Sequence, residues 1–469
     1  MENMLERLER AVWGWPLLIL LLGTGIFLML RLRFYPLLAL PRAIRLLFCG
    51  PRDKKGGVSP FGALCTSLSA TIGTGNVIGV ATALTIGGPG ALFWMELSAV
   101  TGLSLKYVEG VLSVRYRERG PDGLWRGGPS VYIQQGLGLR AKPLAVAFSC
   151  FGALAGLCGV GTFVQIGSVS ACLSALISRL GKGMTVIVLS GGKQIPLASA
   201  LTGIVFSVLT GLVVFGGIRR VSRVSTVLVP VMGGLYLLCC AWILFRFAGQ
   251  IPAALLSVVE GAFHPTSAAG GLLGTVTAGV SRGVFSHEAG LGTAPIASAA
   301  AEGVTPDDQG LLSMTAIVFD TFLVCTLTGL VLLVTGTAGN GVSAAMQAFA
   351  QGLPLPTGVS MSLLVGMLTL FSFTTVIGWS FYGTVCLDAL TGGNRVLRTL
   401  YLIVYTLTVA VAPWCSARGV WSAANLCNAW MALPNVSAIL LMTPELVRSA
   451  ARDCCWNKPC KKTLKAAEK

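Results

Sequence analysis

Charged side chains are scarce in this chain of 469 residues. Asp, Glu, Lys and Arg together make up 11% of the sequence, hydrophobic residues make up 54%, and the mean hydropathy is +0.78. Soluble domains usually contain about 25% charged residues. The composition therefore excludes a soluble globular protein of this length and indicates a membrane protein with many spanning segments.

Histidine is almost absent, since His264 and His287 are the two in the sequence. A zinc centre needs about three or four protein ligands, so a metal-dependent membrane enzyme is poorly supplied. The one neighbouring pair of a histidine and a carboxylate within a hydrophobic segment is His287 and Glu288. A channel is disfavoured as well, because the sequence lacks a repeated pore lining. Neither class explains the features described below.

The net charge of +16 does not indicate nucleic-acid binding, because the basic residues form short clusters between hydrophobic segments instead of one patch. The last cluster contains Cys454, Cys455 and Cys460, which lack the paired spacing and the histidines of a zinc site. We interpret this basic tail as lying against anionic lipid.

Eleven hydrophobic segments, numbered here as spans 1 to 11, are long enough to cross a hydrocarbon core about 30 Å thick. They lie near residues 12–32, 61–86, 91–114, 146–178, 197–217, 222–247, 270–301, 308–336, 358–389, 396–413 and 419–443. If the N-terminus is external, 25 Lys and Arg residues fall on the cytoplasmic side and 7 outside. By the positive-inside rule this predicts a multi-pass protein of the cell membrane with an external N-terminus and a cytoplasmic C-terminus.

Two of these spans contain glycine- and hydroxyl-rich interruptions. The first is SATIGTGN at residues 69–76, and the second is GVSRGVFSHEAG at residues 279–290. A helix is interrupted at membrane depth where it faces a protein-lined or watery cavity. Paired interruptions in two halves of a chain indicate the binding site of a secondary transporter.

Spans 2 and 7 each begin a set of five, which predicts an all-α integral membrane protein with one extra N-terminal helix and two five-helix repeats. Because five is odd, the second set enters the membrane from the opposite side, so the repeats are inverted. The predicted divisions are 1–57 with span 1, 58–248 for the first repeat, 249–269 as an external loop, 270–445 for the second repeat, and the tail 446–469.

Eight motifs together resemble the alanine or glycine:cation symporters, a family with the leucine-transporter fold. They are GTGNVIGVA at 73–81, GGPGALFWM at 87–95, KYVE at 106–109, RGGP at 126–129, GIRR at 217–220, RGVFSHEAGLG at 282–292, FTTVIGW at 373–379 and NAWMALPN at 428–435. The resemblance implies a symporter that imports alanine or glycine with sodium as the co-transported ion and no other cofactor. A proton-coupled or exchange transporter of another neutral amino acid is the alternative.

The chain departs from the family pattern at four positions that bear on the substrate and the coupling ion. His287 replaces an asparagine, Thr384 stands where a glutamate is usual, Asn425 replaces an aspartate, and Gly167 replaces an asparagine. His287 has two interpretations. Its ring titrates near a pKa of ~6.5 and would act as a pH switch beside Glu288, or it stays neutral and hydrogen-bonds as asparagine would.

The first interruption is predicted to bind the substrate carboxylate. Backbone amides of Gly73, Thr74 and Gly75 at the start of a half-helix favour an anion. Asn76 is expected to donate to that carboxylate or to ligate sodium through its oxygen. The alternative is a glycine-packed helix crossing.

The second interruption is predicted to receive the ammonium group and the side chain. Carbonyls freed near Gly283 would accept from the ammonium, Phe285 would line a small pocket, and Ser286 would hydrogen-bond. Arg282 needs a partner at this depth, and Glu96, Glu109 and Asp320 are the candidates.

Three further predictions concern spans 4 and 9. The resemblance implies a sodium site formed by Thr374 or Thr375 of span 9 with carbonyls near Ser69 and Ile72. Gln165 in span 4 either lines the substrate site or bridges helices. Trp379, one turn after Thr375, either lines the pocket or packs in the core.

Overall fold

The computed structural model describes residues 2–49, 57–120, 123–181, 186–188, 194–264, 271–337, 341–415 and 417–452. Most of these residues are helical, and four short strands form two separate antiparallel pairs. The predicted all-α class is therefore confirmed. The cysteines of the basic tail, and Lys182 and Lys193 among the external charges, lie outside the described residues.

The first part of the chain forms twelve of the described helices, labelled α1 to α12. Their bounds are Glu2–Val12, Trp15–Arg31, Tyr35–Leu38, Leu40–Cys49, Pro60–Thr71, Val80–Gly87, Gly90–Arg115, Pro129–Leu137, Lys142–Cys158, Phe163–Arg179, Leu197–Val214 and Gly217–Arg246. Strands β1 (Glu118–Arg119) and β2 (Trp125–Arg126) pair before α8, and β3 (Val186–Val188) and β4 (Gln194–Pro196) pair before α11.

The remaining part forms helices α13 to α21. Their bounds are Ile251–Phe263, Gly271–His287, Ala294–Ala299, Pro306–Ile317, Thr326–Val334, Val342–Gly352, Thr357–Thr391, Arg395–Val411 and Ala417–Arg452. Two π-helical segments, Gly75–Gly79 and Val318–Cys325, lead directly into α6 and α17. Short 3₁₀ turns lie at Leu139–Ala141, Ala248–Gln250 and Ala412–Trp414.

Seven helical stretches in the described part of the chain are long and apolar enough to cross a membrane, or eight if α5 and Gly75–Gly87 count as one bent span. Each of the eleven predicted segments contains at least one helix. Helix α2 is apolar but has 17 residues. Helix α7 has 26 residues and carries Glu96, Lys106 and Glu109 among its apolar side chains.

Elements of the two predicted repeats pack against one another. Helix α7 contacts α14 and α16, and α6 contacts α14. On the other side, α19 contacts α5, α9 and α12, and α21 contacts α9. This arrangement brings both interruptions into the centre of the helix bundle, beside the middle of α7 and α19.

The second interruption lies later than the sequence predicted. Helix α14 continues through Gly279 and Gly283 to His287, so the prediction of freed carbonyls at Gly283 is wrong. A Cβ atom at Gly283 would lie 2.2 Å from Ser98 Oγ, and one at Gly279 would lie 2.3 Å from the carbonyl oxygen of Ala91. Both glycines therefore allow α14 to approach α7 closely.

The chain unwinds instead between His287 and Ala294, where three residues have positive φ angles. These angles are 52° at Glu288, 86° at Gly290 and 82° at Gly292. Left-handed backbone is accessible to glycine without steric cost, which explains the glycine spacing here. The second break is thus a non-helical segment between α14 and α15.

Three other features were not predicted. Span 4 is interrupted over residues 159–162, which separate α9 from α10. The predicted external loop contains α13, a helix of 13 residues. Helix α1 precedes span 1, and its Glu9 accepts a hydrogen bond from Ser422 Oγ of α21 at 2.5 Å.

Candidate functional site

The first break lies between α5 and the helical stretch Gly75–Gly87, whose axes differ by 52°. Helix α5 ends at Thr71, and the amide of Gly73 donates to the side-chain Oδ1 of Asn76 at 2.9 Å. In an uninterrupted helix this amide would bond to the carbonyl of Ser69, four residues earlier. The side chain of Asn76 therefore stabilises the unwound backbone.

Asn76 also joins the first break to α14 and to the π-helical segment Val318–Cys325. Its Nδ2 lies 2.9 Å from Ser286 Oγ and 2.5 Å from Asp320 Oδ1. Ser286 Oγ donates to Asp320 Oδ2 at 2.7 Å and lies 3.2 Å from Cys325 Sγ. All four side chains are buried. They form a polar cluster, the Asn76 cluster, at the crossing of the interrupted helices.

Gln165 bridges three elements at the same break. Its Oε1 accepts from Thr74 Oγ1 at 3.1 Å, from the Thr74 amide at 3.4 Å and from Ser372 Oγ at 3.4 Å. Of the two interpretations of Gln165, these contacts support the bridge. The amides of Gly73 and Thr74, predicted as bare donors, already bond to Asn76 and Gln165. A carboxylate that binds them must displace these two amide oxygens.

The two threonines of α19 face different surroundings. Thr375 Oγ1 donates to Phe371 O at 3.0 Å and lies 3.4 Å from the carbonyl oxygen of Ile72 at the first break. Thr374 Oγ1 lies 2.9 Å from Phe371 O and 3.6 Å from Met232 Sδ. Thr375 therefore joins the break, whereas Thr374 faces α12.

Ser69 takes part through its main chain. Its hydroxyl donates to Thr66 O at 2.8 Å, so the side chain is engaged within α5. Its carbonyl belongs to the last turn of α5, where the bond from Gly73 is replaced by the bond to Asn76. The carbonyl of Ile72 and the hydroxyl of Thr375, 3.4 Å apart, are candidate oxygen ligands at one place, and the carbonyl of Ser69 is a further candidate three residues earlier.

Phe285 and Trp379 belong to one cluster of apolar side chains beside this region. A Cβ atom built on Gly75 would meet the Phe285 ring at 3.6 Å, an ordinary contact distance. Trp379 is fully buried within this cluster, and its ring packs edge-on against Tyr382 at 5.7 Å. Its Nε1 has no hydrogen-bond partner among the residues that the structure describes.

A cavity of about 200 Å³ lies beyond Phe285, on the side of α1 and α21. Glu9, Arg282 and Asn425 line it together with Phe285. The carboxylate that acts electrostatically on Arg282 is Glu9. The candidates predicted from the sequence were Glu96, Glu109 and Asp320. Glu9 was not among them, because α1 is distant in the sequence and precedes the first predicted span.

Helices α7 and α21 hold the second break in place. Glu109 Oε1 accepts from the amide of Gly292 at 3.0 Å and from Asn435 Nδ2 at 2.7 Å, and Asn435 Nδ2 also lies 2.9 Å from Gly290 O. Tyr132 of α8 donates to Asn435 Oδ1. The KYVE, NAWMALPN and EAGLG segments therefore meet at one clamp, which we call the Glu109 clamp.

His287 makes hydrogen bonds through both ring nitrogens. Its Nδ1 accepts from the amide of Ala289 at 3.1 Å, and its Nε2 lies 3.4 Å from Ser98 Oγ. Ser98 Oγ itself donates to Met95 O at 2.6 Å, so it can accept from a protonated Nε2. This geometry requires the neutral tautomer with hydrogen on Nε2, which supports the second interpretation of His287.

Lys106 is fully buried in α7, and its charge interacts with Glu109, Glu288 and Asp320. Its Nζ has no hydrogen-bond partner among the described residues. Glu288 accepts from Thr293 Oγ1 at 2.6 Å. Asp320, Cys325 and Asn435 were not predicted as site residues. A carboxylate within the hydrophobic span 8 was the signal for Asp320, and Asn435 ends the NAWMALPN motif, whereas no signal marked Cys325.

Comparisons of the sequence with a family model and with known proteins indicate the same family. The model of the sodium:alanine symporter family matches residues 1–464. The chain is 41% identical over 448 residues to an uncharacterized transporter of Haemophilus influenzae, covering 94% of this chain and 93% of that protein. It is 40% identical over 458 residues to the sodium/alanine symporter AgcS of Methanococcus maripaludis, covering 95% of each.

A solved structure shows the same fold. The chain resembles MhsT in complex with L-phenylalanine with a TM-score of 0.59, covering 83% of this chain and 90% of that one. The sequence identity is 14%, so this likeness concerns the fold alone. It confirms the predicted leucine-transporter type of fold.

Proposed function

Because the chain belongs to the sodium:alanine symporter family, we propose that it imports a small neutral amino acid, alanine or glycine, together with sodium. The observation that carries this proposal is the junction of the two interrupted helices at Asn76 and Ser286, 2.9 Å apart. A transporter of this fold places its substrate between such helices, at the bilayer midplane. The junction puts polar backbone and a fully buried polar cluster at that place.

In the proposed substrate site, the carboxylate binds the amides of Gly73, Thr74 and Gly75, and Asn76 and Gln165 release them. The start of a half-helix favours this anion through its dipole. Phe285 limits the space beside Gly75, and Ser286 contributes a hydroxyl. Trp379 offers an indole N–H that lacks a partner in the described structure. A small side chain suits this enclosure.

In the proposed sodium site, the carbonyls of Ser69 and Ile72 and the hydroxyl of Thr375 supply oxygen ligands. Hard cations prefer such neutral and anionic oxygens. Thr374 is excluded from the site because its hydroxyl faces Met232. Asp320 lies one hydrogen bond from Asn76, so its charge also favours a cation near the first break.

Alternating access then follows from movement of the two repeats, 58–248 and 270–445, around this fixed site. The excess of basic residues in the segments assigned to the cytoplasm sets the proposed orientation in the cell membrane, with the N-terminus external and the C-terminus cytoplasmic. In this orientation the cavity between Glu9 and Phe285 faces the external solution.

Uptake by purified protein in liposomes tests the proposal. Labelled alanine, glycine and serine are each offered under inward sodium, lithium or proton gradients. We expect saturable alanine or glycine uptake that follows the sodium gradient. The alternative, proton coupling, is favoured by the carboxylates of Glu109, Glu288 and Asp320 that surround Lys106. Full uptake driven by protons without sodium would establish it and contradict the sodium proposal.

A further inference from the structure

A second, larger cavity lies outside the Asn76 cluster and reaches the first break at Ile72. Its volume is about 650 Å³, within the range of ~300–1,000 Å³ typical of small-molecule sites. It is bounded by α5, α12 and the segment that runs from α16 through Val318–Cys325. Leu64 and Leu68 of α5 form its wall on one side, and Val229 and Leu237 of α12 form the wall opposite.

The chemistry of this groove suits a hydrocarbon chain. Apart from Ser59 at its edge, the side chains that line it are apolar. Phe61 lines it and is 38% exposed, so the groove is open at the protein surface that faces lipid. Within a bilayer the surrounding solvent is itself hydrocarbon, so a lipid acyl chain enters such a groove without a desolvation penalty.

Helix α4 forms the mouth of the groove through Leu46, Leu47 and Phe48. Two ion pairs hold this helix in place, since Arg42 lies 3.2 Å from Asp307 and 2.7 Å from Asp308 at the start of α16. Phe48 is 70% exposed, and this mixture of apolar and basic side chains is typical of a helix in the membrane interface.

Arg45 supplies the charge that a lipid headgroup needs. It is exposed and lies three residues before Phe48, so both side chains share one face of α4. The segment 31–57 carries seven Lys and Arg residues, as expected for the cytoplasmic, anionic surface of a membrane. A phosphate at Arg45 places its attached acyl chain at the mouth of the groove.

We propose that this groove is a binding site for an anionic phospholipid, with one acyl chain between α5 and α12 and the phosphate at Arg45. The deep end of the groove is Ile72, the residue whose carbonyl lies 3.4 Å from Thr375 Oγ1. A chain seated there packs against α5 immediately below the first break. If the proposed symport function holds, the bound lipid restrains the movement of α5 that opens the site.

Photo-crosslinking tests this site without any transport measurement. The full chain is reconstituted in phosphatidylcholine vesicles that contain phosphatidylglycerol with a diazirine at the end of one acyl chain. Labelled peptides are then identified by mass spectrometry. We expect label in peptides that contain Leu64, Leu237 or Val324, and several-fold less label when the diazirine is on phosphatidylcholine.

Two glycines allow the groove to be filled. Gly233 and Gly234 line it, and a Cβ atom on either would meet no atom within 4 Å. We expect the double variant Gly233→Leu/Gly234→Leu to carry at least five-fold less label than the unsubstituted chain. Gly366→Leu is the matched control, because Gly366 is exposed, has equally open space and lies outside the groove. Its label should change by less than two-fold.

Arg45→Gln separates the headgroup from the acyl chain. It should reduce phosphatidylglycerol labelling towards the phosphatidylcholine level and leave the labelled peptides unchanged. Undiminished label in the double variant, or label confined to peptides outside the groove, would overturn the site. Equal labelling by both lipids in the unsubstituted chain would overturn the anionic preference. The vesicles for crosslinking are prepared without substrate or sodium, so these outcomes are independent of the proposed transport function.

Discussion

At the scale of single residues, the site is organised by side chains that replace missing backbone partners. Asn76 Oδ1 receives the Gly73 amide, Gln165 receives the Thr74 amide, and Glu109 receives the Gly292 amide. Buried amides without partners cost about 1–3 kcal/mol each. The motifs of the sequence therefore contain both the residues that unwind and the residues that stabilise the unwound state.

Thr375→Ala should weaken sodium binding, because it removes a hydroxyl that lies 3.4 Å from the Ile72 carbonyl. We expect the sodium concentration for half-maximal uptake to rise about ten-fold, which corresponds to ~1.4 kcal/mol. Thr374→Ala is the matched control, since that hydroxyl faces Met232 and should change this concentration little. An equal effect of both substitutions would contradict the assignment.

Gly75 tests the space available to the substrate. A Cβ atom there meets Phe285 at 3.6 Å, so alanine fits without a clash, whereas the branches of valine extend further into the site. We expect Gly75→Ala to raise the KM for alanine several-fold and Gly75→Val to abolish uptake with normal membrane insertion. Gly366→Ala in α19 has open space around its Cβ, is exposed and serves as the control. Unchanged substrate affinity in well-expressed Gly75→Val would exclude carboxylate binding at the amides of the first break.

His287→Asn should preserve uptake and leave its pH profile unchanged between pH 7 and 5.5. The reason is that the ring accepts from Ala289 through Nδ1 and faces the acceptor side of Ser98 Oγ, as a neutral group does. Initial rates at saturating sodium, measured for both proteins over this pH range, provide the check. A pH response that is present in the unsubstituted chain and absent in His287→Asn would restore the switch hypothesis.

At the scale of helices, the sequence predicted the existence of both breaks. It placed the first correctly and the second too early in the chain. The first break coincides with the glycine and hydroxyl run because Asn76, within that run, supplies the replacement acceptor. The second was misplaced because glycine has two roles that sequence cannot separate. Gly279 and Gly283 permit close helix packing, whereas Gly290 and Gly292 adopt positive φ angles. Only the three-dimensional neighbours distinguish these roles.

The site contacts that the sequence missed are those made between distant segments. Glu9 and Arg282 are separated by the whole of the predicted first repeat, and Glu109 and Asn435 by most of the chain. Arg282 and Glu109 were visible in the sequence, since charged residues within spans are rare and functional. Their pairing with Glu9 and Asn435 depends on helix packing, which hydrophobic periodicity does not specify.

Glu109→Ala should destabilise the second break by ~1–3 kcal/mol and abolish uptake, because it leaves the Gly292 amide and Asn435 Nδ2 without their shared acceptor. Glu109→Gln retains an oxygen at this position and should keep most of the thermal stability. Thermal unfolding in detergent measures the difference. If alanine and glutamine lowered the melting temperature equally, the charge of Glu109 would be its stabilising property, not its acceptor geometry.

At the scale of the whole molecule, charge distribution sets the orientation on which the proposed direction of transport depends. The segment 115–145, which contains β1 and β2, carries six Lys and Arg residues, whereas the segment 179–196, which contains β3 and β4, carries three. Basic residues near span ends remain on the cytoplasmic side during insertion. The two hairpins should therefore lie on opposite faces of the membrane.

Cysteine labelling on intact cells provides the test of this orientation. Arg119 in β1 and Val186 in β3 are both exposed, so a cysteine at either position is open to solvent. A membrane-impermeant maleimide should label Val186→Cys in intact cells, and it should label Arg119→Cys after permeabilisation. The unsubstituted chain gives the background from its own cysteines. The reverse pattern would invert the topology, place the Glu9 cavity on the cytoplasmic side and turn the groove between α5 and α12 towards the outer leaflet.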